Sequence, residues 1–472
     1  MLDFEAFGVF AVRFLEMIGE RSMIRIGCGQ GFWGDLLRAP IDLVRKGPLD
    51  YLVMDFLAEL TMSIMHKQRL RDPMLGYAKD LVPLLDTILP DIVSRNIKVI
   101  TNGGGANPAA CRDAVRSLAG KAGVRGLRIA VVLGDDVLPR VDELLAHGVA
   151  LDNMETGESI AGIRERLTSA NAYLGAGPIV EALRQGAQIV LTGRTADASL
   201  ALAPMIAEFG WSPDDWDRLA AGIVAGHILE CGAQSTGGNF TGDWKAVPDL
   251  ARIGFPIAEV HPDGTSVITK HPGTGGLVSC ATVKEQLVYE IGDPAGYTTP
   301  DCVADFTTVR LREIGPDRVE VSGVRGKPAT AFLKVSMSYH DGYSAVGTLT
   351  YSWPEALAKA RKADEILRAR LEDLGLRFQE IRTEYLGYDS CFGPLARETC
   401  DLNEVVLRVG VRGRERRDVD RFCREIAPLV LTGPPSVTGY AGTRPKPEDV
   451  IAFWPALIPR IAVAPEVSVE ET

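Results

Sequence analysis

The chain has 472 residues, 46% of them hydrophobic and 24% charged, and a formal net charge of −11. A single core stops growing at roughly 250–300 residues, so this length predicts two domains. The composition is that of a packed globular protein and excludes wholesale disorder, and the negative charge argues against an extended nucleic-acid surface.

The one notably basic stretch, Arg412-Gly413-Arg414-Glu415-Arg416-Arg417, is short and interrupted by acid, as a solvated loop or helix start would be. Eight cysteines (Cys28, Cys111, Cys231, Cys280, Cys302, Cys391, Cys400 and Cys423) are scattered with no Cys-x-x-Cys. That spacing suits neither a zinc knuckle nor a redox pair, and a disulfide framework is not expected in a chain of this size without a secretory signal. The N-terminus, Met1-Leu2-Asp3-Phe4-Glu5, lacks a basic leader, and no apolar run approaches the ~18–20 residues that span a bilayer. A cytoplasmic protein with no membrane and no nucleic-acid partner is expected.

From Met23 to about Leu202 a short apolar run, a loop of Gly, Asn or Asp, and an amphipathic helix recur. The runs are 23–26, 51–54, 98–100, 127–133 and 189–191, with 149–151 as a further candidate strand. They lack polar alternation, as strands covered on both faces should. Helix-length segments lie at 56–65, 74–96, 109–122 and 178–186. The pattern predicts an α/β fold with a doubly wound, mostly parallel sheet, whose β-to-α loops share one edge. Ser212-Pro213 opens a helix running to about Glu230, followed by the Gly-rich segment Cys231–Asn239. Beyond about Ile257 strands are expected at 303–314, 318–324, 330–339 and 405–411. Helices are expected at 354–374, with Ser352 as N-cap and Gly375 as stop, and at 418–429. Strands and helices in runs predict a smaller α+β C-terminal domain containing a ferredoxin-like βαβ element. The expected domains are therefore 1–250 and 251–472.

Chemistry is concentrated in the loops. Gly29, Gly31 and Gly34 fit G-x-G-x-x-G after a strand, and Asp55 ends the next strand, which together form a dinucleotide fingerprint. Phe32-Trp33 is bulky for that motif, so another ligand loop or a plain turn stays open, and an NAD(P)-dependent oxidoreductase is one alternative. Asp55 and Glu59 are placed to share the start of a helix, where they can hold a cation or take a proton. The segment Asn102-Gly103-Gly104-Gly105-Ala106-Asn107-Pro108 opens another helix, and its glycine amides can wrap an anion. It lacks the Lys-Ser/Thr ending of an ATP-binding P-loop. Arg194, after a strand and before a helix, can pair with a carboxylate or phosphate, and Asp197 can orient it. His227 and Glu230, one helical turn apart, can share a proton, but they supply no third zinc ligand. Cys28 and Cys231 are candidate nucleophiles, with inert core thiols as the alternative. Gly237 and Gly238 extend a further Gly-rich loop, and His271-Pro272-Gly273-Thr274-Gly275-Gly276 resembles a weaker one. Asp135-Asp136, Asn153, Glu155 and Asn171 lie in corresponding loops.

The stretches IRIGCGQGFWGD, LDYLVMDFLAELTMSIM, VITNGGGANP, VLTGRTADASLALAP, GHILECGAQSTGGNF and HPGTGGLVS resemble the acyclic terpene utilisation protein A (AtuA) family. The resemblance covers about residues 23–460. It implies degradation of acyclic terpenes through branched acyl-CoA intermediates, with a CoA thioester as substrate carrier, and it transfers no catalytic residue position by position. Longer members carry an extra small ferredoxin-like domain, so a separately encoded small subunit is an expected partner. The leading expectation is an enzyme subunit, and a homo-oligomer, acting on an anionic acyl-CoA or branched acid by hydration, dehydration or C–C cleavage. Gly103–Gly105 and Arg194 would bind the anion. Asp55, His227 and Glu230 would move protons. A non-catalytic ligand- or partner-binding subunit is the other alternative.

Overall fold

The computed structural model describes residues 22–397, 401–439 and 444–472. The N-terminal pentapeptide and Cys400 lie outside the described residues. Two compact units emerge, residues 22–338 with Phe453–Thr472, and Tyr339–Ala452.

The first unit is built on a ten-stranded mixed sheet. Five strands pair in parallel at its centre: β1 (Ile24–Gln30), β2 (Tyr51–Met54), β3 (Lys98–Thr101), β4 (Arg128–Leu133) and, between β3 and β4, the later strand Ile189–Thr192. That later strand is called β6, after β5 (Leu167–Ala172), which pairs outside this sheet. Antiparallel strands extend both sides. β7 (Pro256–Val260) pairs with β1 and β8 (Ser266–Lys270) with β7, then Arg318–Ser322 and Arg310–Gly315 follow. Glu466–Glu471 closes the far side against β4. The sheet therefore continues across the 250/251 boundary expected from sequence. The flanking antiparallel strands also make it mixed where a mostly parallel sheet was expected.

Side-chain alternation along the central strands explains the layers. Leu52, Met54, Val99, Ile189 and Leu191 join one core with the helices Arg38–Lys46, Leu81–Ser94 and Pro108–Lys121. The intervening residues, among them Tyr51, Val53 and Val190, are also buried, as strands covered on both faces require. Helices Asp197–Phe209 and Trp216–Glu230 pack together and against β1 and β2. Because the five central strands are parallel, their C-terminal loops meet at one edge, as expected. The candidate strand at 149–151 is not a strand.

The second unit has Glu380–Leu386 and residues 343–352 flanking Glu404–Gly413 in antiparallel register. Helices Ala356–Asp373 and Arg416–Ile426 share one core with it through Leu349, Leu367, Val409 and Phe422. Gly375, at φ +62°, ends the first helix in the left-handed conformation expected of it. The helix begins after Glu355 with no side-chain cap, so Ser352 does not act as its N-cap.

Candidate functional site

Asp55 follows β2 directly and is 5% exposed. Its Oδ1 accepts from the Leu57 amide (2.8 Å) and from Asn102 Nδ2 (2.7 Å), and Asn102 Oδ1 in turn accepts from the Phe56 amide (2.7 Å). Asn102 thus serves as a buried bracket that aims Asp55 across the strand ends. Burial raises the Asp55 carboxyl, partly offset by Arg194 and these donors.

Arg194 lies after β6 and is 2% exposed. Its Nη1 donates to the Leu57 carbonyl (2.6 Å), its Nη2 is 3.2 Å from Asp197 Oδ1, and its guanidinium sits 4.2 Å above the Tyr173 ring. Burial works against its charge, but Asp197, Tyr173, Asp55 and Glu59 around it hold it protonated. Asp197 pairs with Asp55 as well as with Arg194, and burial and the neighbouring carboxylate raise it well above the usual range. Each carboxylate disfavours ionisation of the other, and a proton shared between them would leave one acid and one base. The Asp197–Arg194 contact is electrostatic, because Oδ1 is not aligned for a hydrogen bond, and Arg194 Nε is also without one.

Asp197 lies deep in the protein, yet about a third of its side-chain surface is open (34%). Glu59 and Lys334 are similarly open and 3.8 Å apart, and the Tyr173 hydroxyl donates to Glu59 at 3.0 Å. Asp197, Glu59 and Lys334 thus each present a partly open side chain beside the buried Arg194 guanidinium. Burial opposes the Glu59 charge, but its own amide, Arg194, Lys334 and Tyr173 outweigh it and lower its pKa. Asp135 accepts from the Arg194 amide (2.8 Å) and from Asn171 Nδ2 (2.9 Å), and burial raises it to about 6. Asn171 Oδ1 meets His66 Nε2 at 3.2 Å, and burial lowers His66. Gly193 is needed here, since a Cβ would lie 2.4 Å from the Asp135 carboxylate.

His227 and Glu230 form a second proton pair on the helix Trp216–Glu230. His227 Nε2 is 2.9 Å from the Gln286 carbonyl and can only donate to it. Nδ1 is 2.8 Å from Glu230 Oε1, off the line of a straight ring hydrogen bond, so the contact is an ion pair. With Nε2 committed, one proton must sit between ring and carboxyl. Burial opposes the His227 charge but Glu230 overcomes it, while burial raises Glu230. Glu230 Oε2 is buried without a partner, and Asp197 adds to the upward push on this carboxyl, so the two pairs interact.

The structure therefore brings Asp55, Asn102, Arg194, Asp197, His227 and Glu230 into one electrostatic neighbourhood. It uses the other singled-out residues differently. The Gly103 amide donates to Thr101 Oγ1 and the Gly105 amide to the Asn102 carbonyl, so this loop is folded on itself. A Cβ on Gly104 would lie 2.7 Å from the Thr192 carbonyl oxygen, and one on Gly105 would lie 2.1 Å from Met65 Sδ. Asn107 caps the following helix and donates to Pro73 and Leu75. Packing and turn geometry explain these residues without an anion. Gly29 packs on Pro40 and Leu52, while Gly31 packs on the Cys231 backbone and gives its amide to Asp35 (2.9 Å). The fingerprint glycines thus serve the close approach of protein segments. Gly237 and Gly238 meet Val247 and Ala233 in the same way. Burial pushes the Cys28 thiol well up, and Cys231 to about 12, and such thiols are poor nucleophiles at neutral pH.

Sequence reasoning missed His66, Tyr173 and Lys334, which no glycine loop or motif marks. Among the described residues no three or more His, Cys, Asp or Glu side chains form a group able to hold a metal, and no helix is long and apolar enough to cross a membrane. A cavity of about 740 Å³, lined by Arg116, Gly123 and Thr472, belongs to the far end of the helix Pro108–Lys121. At 1.5 Å per residue that end is ~20 Å from the loop edge.

Fold and site define an α/β protein whose titratable groups gather at the C-terminal edge of its parallel strands. The chain belongs to the acyclic terpene utilisation family of AtuA proteins, whose family model matches residues 24–469. No curated protein matches it. Among solved structures it is similar to a de novo designed protein, Ferredog-Diesel, at 20% identity over 24% of this chain and 88% of that one, with a TM-score of 0.14. Another is the homoserine dehydrogenase of S. aureus, at 10% identity over 88% of this chain and 84% of that one, with a TM-score of 0.13. Neither likeness bears on fold or activity.

Proposed function

We propose that this chain is an enzyme subunit of organic-acid or acyl-CoA catabolism within acyclic terpene utilisation, catalysing hydration, dehydration or a related lyase step. The observation that carries the reading is the Asp55–Asp197 carboxyl pair beside the buried Arg194, with the Asp197 side chain about a third open (34%). Such a pair holds one proton for two carboxyls. Asp55, bracketed by Asn102 and the Leu57 amide, is the base that takes a proton from the carbon next to a substrate carbonyl. Asp197, carrying the proton, protonates the departing hydroxyl. Arg194 keeps the pair's net charge tolerable through the exchange. Lys334, partly open beside Glu59, attracts the substrate's anionic group, and the proton gained by Asp55 passes back to Asp197 within the pair, so the cycle needs no outside proton. General acid–base chemistry of this kind contributes about 10²–10⁴ in rate.

The test is solvent-deuterium exchange followed by NMR, with hydroxy and α,β-unsaturated acids offered both free and as CoA thioesters. Exchange or water addition by the wild type, abolished in Asp55→Asn and Asp197→Asn, supports the reading. Turnover that survives both substitutions overturns it. Dinucleotide chemistry has weaker support, since Gly29 packs on Pro40 and Leu52 and Gly31 on the Cys231 backbone, with the Gly31 amide given to Asp35.

A second reading, a subunit that works only with a partner, is favoured by the helix Glu59–Arg71. Met62 and Met65 are buried on one face, while Leu60, Ile64 and Leu70 are 55%, 50% and 85% exposed on the other. Apolar residues on both faces suit a helix covered by a second protein, either another copy or a small ferredoxin-like subunit. A cytoplasmic location fits both readings.

A further inference from the structure

A second cavity, about 90 Å³, opens at the same edge of the sheet, between the start of the helix Arg38–Lys46 and the loops flanking β7 and β8. β7 runs antiparallel to β1 and β8 antiparallel to β7, so the start of β7 and the end of β8 both lie beside the C-terminal end of β1. The cavity is lined by Arg38, Lys46 and Arg252, by one carboxylate, Asp42, and by His271. Asp42 carries Arg38 (3.0 Å) and Lys46 (2.9 Å), while Arg252 pairs outside the lining with Asp249 (2.8 Å). Three cations against one acid leave the lining positive in a protein whose net charge is −11.

Two further features point to a bound anion. The helix Arg38–Lys46 has no side-chain N-cap and no acidic residue in its first turn, so the positive end of its dipole faces the cavity with only Asp35, which accepts from the Leu36 amide (2.6 Å), close to it. His271 is 2% exposed and lines the cavity. Its Nδ1 pairs with the Pro272 carbonyl (3.1 Å), which fixes the proton on that nitrogen and leaves Nε2 without a protein partner among the described residues. That nitrogen is accessible to an anion or a water entering the cavity. Neutral, Nε2 accepts the O–H of a phosphate monoanion, and protonated it donates to a dianion. A sulfate dianion has no proton to offer and can use only the second form.

We infer that this cavity is a phosphate subsite, formed by Arg38, Lys46, Arg252 and His271, for a phosphomonoester or diphosphate group of the ligand. A cavity of about 90 Å³ has room for a single phosphate group, with the rest of a larger ligand outside it. β2 and β8 are three strand spacings apart in the sheet, so at ~4.8 Å each the cavity lies roughly 10–15 Å from Asp55. A phosphate held there belongs to a ligand with an extended arm between its charged end and its reacting carbon. The subsite stands independently of what the carboxyl pair catalyses.

The test is calorimetric titration of the full chain with inorganic phosphate, pyrophosphate, adenosine 3′,5′-bisphosphate and sulfate at constant ionic strength. Phosphate-bearing probes are expected to bind, with sulfate clearly weaker. The double variant Arg38→Gln/Arg252→Gln, altered only at exposed side chains, should lose about 10-fold or more in affinity. A bisphosphate that outbinds inorganic phosphate identifies a nucleoside-borne group, and equal binding identifies free phosphate. Absence of binding by every phosphate probe overturns the inference, as does sulfate binding equally well or affinity unchanged in the double variant. Deuterium exchange lost in Asp55→Asn with phosphate affinity intact would separate the two sites.

Discussion

Replacing Arg194 with methionine removes the buried guanidinium while keeping an unbranched chain of similar bulk. Besides the Asp197 ion pair (3.2 Å), two interactions with neutral groups disappear. The hydrogen bond from Nη1 to the Leu57 carbonyl (2.6 Å) is charge-assisted, worth about 1.5–3 kcal/mol. The guanidinium 4.2 Å over Tyr173 is desolvated, where such contacts reach about 2 kcal/mol. Their sum, about 3.5–5 kcal/mol, agrees with the ~3–5 kcal/mol found when one partner of a buried pair is deleted. At ~2 °C per kcal/mol for a large unit, the melting temperature should fall by roughly 7–10 °C. Tryptophan fluorescence is a suitable probe, because Trp33, Trp211, Trp216, Trp244 and Trp454 lie in the first unit and only Trp353 in the second. The loss should grow with pH. Asp55 and Asp197 are raised in the folded state, so each favours folding below its unfolded pKa and loses that contribution as pH rises through its folded value. Without Arg194 both rise further, so the variant suffers most where the carboxyls are forced to ionise. Adding Asp197→Asn should recover part of the loss. A single variant within ~1 kcal/mol of wild type at neutral pH, or no rescue by the second change, would refute the counter-ion role.

Gly105→Ala should destabilise the first unit by about 1–3 kcal/mol, because φ is +54° and the new Cβ would lie 2.1 Å from Met65 Sδ and 3.0 Å from the Gly76 carbonyl. Urea titration measures it, and a neutral result would return the loop to the anion-binding reading. Cys28→Ala should leave deuterium exchange unchanged, and Cys28 should resist iodoacetamide at neutral pH in mass spectrometry, because burial keeps its thiol protonated. Asp135 is held at about 6 against an ordinary 3.8. Its contribution is therefore complete below about pH 4 and lost as pH rises through about 6. Wild-type stability should fall more steeply over that range than that of Asp135→Asn, and equal slopes in the two unfolding series would remove Asp135 as the cause.

The central strands were legible because they are buried on both faces. Runs such as Tyr51–Met54 and Ile189–Thr192 carry little polar alternation, and each ends in a loop. β5, Leu-Thr-Ser-Ala-Asn-Ala, was not legible, because its Thr, Ser and Asn look like loop residues until Asn171 is seen bonding Asp135. Nor did local sequence announce that β7 would pair with β1. The two strands are more than 200 residues apart, and register between distant strands leaves no local signature.

The glycine loops show why the site itself was only half readable. Gly-rich segments after strands were expected to bind a ligand, and the aspartates beside them drew less weight. In the fold, Gly31, Gly104 and Gly193 let backbone or carboxylate approach where any Cβ would collide, and Gly105 does the same against Met65. That close approach draws the strand ends together until Asp55, Asp197 and Arg194 interact. The glycines therefore marked the right edge of the sheet but not the reactive groups. Proton-sharing arises from the distance between loops that the glycines permit, and such a distance between residues 55 and 197 is a property of the folded chain alone.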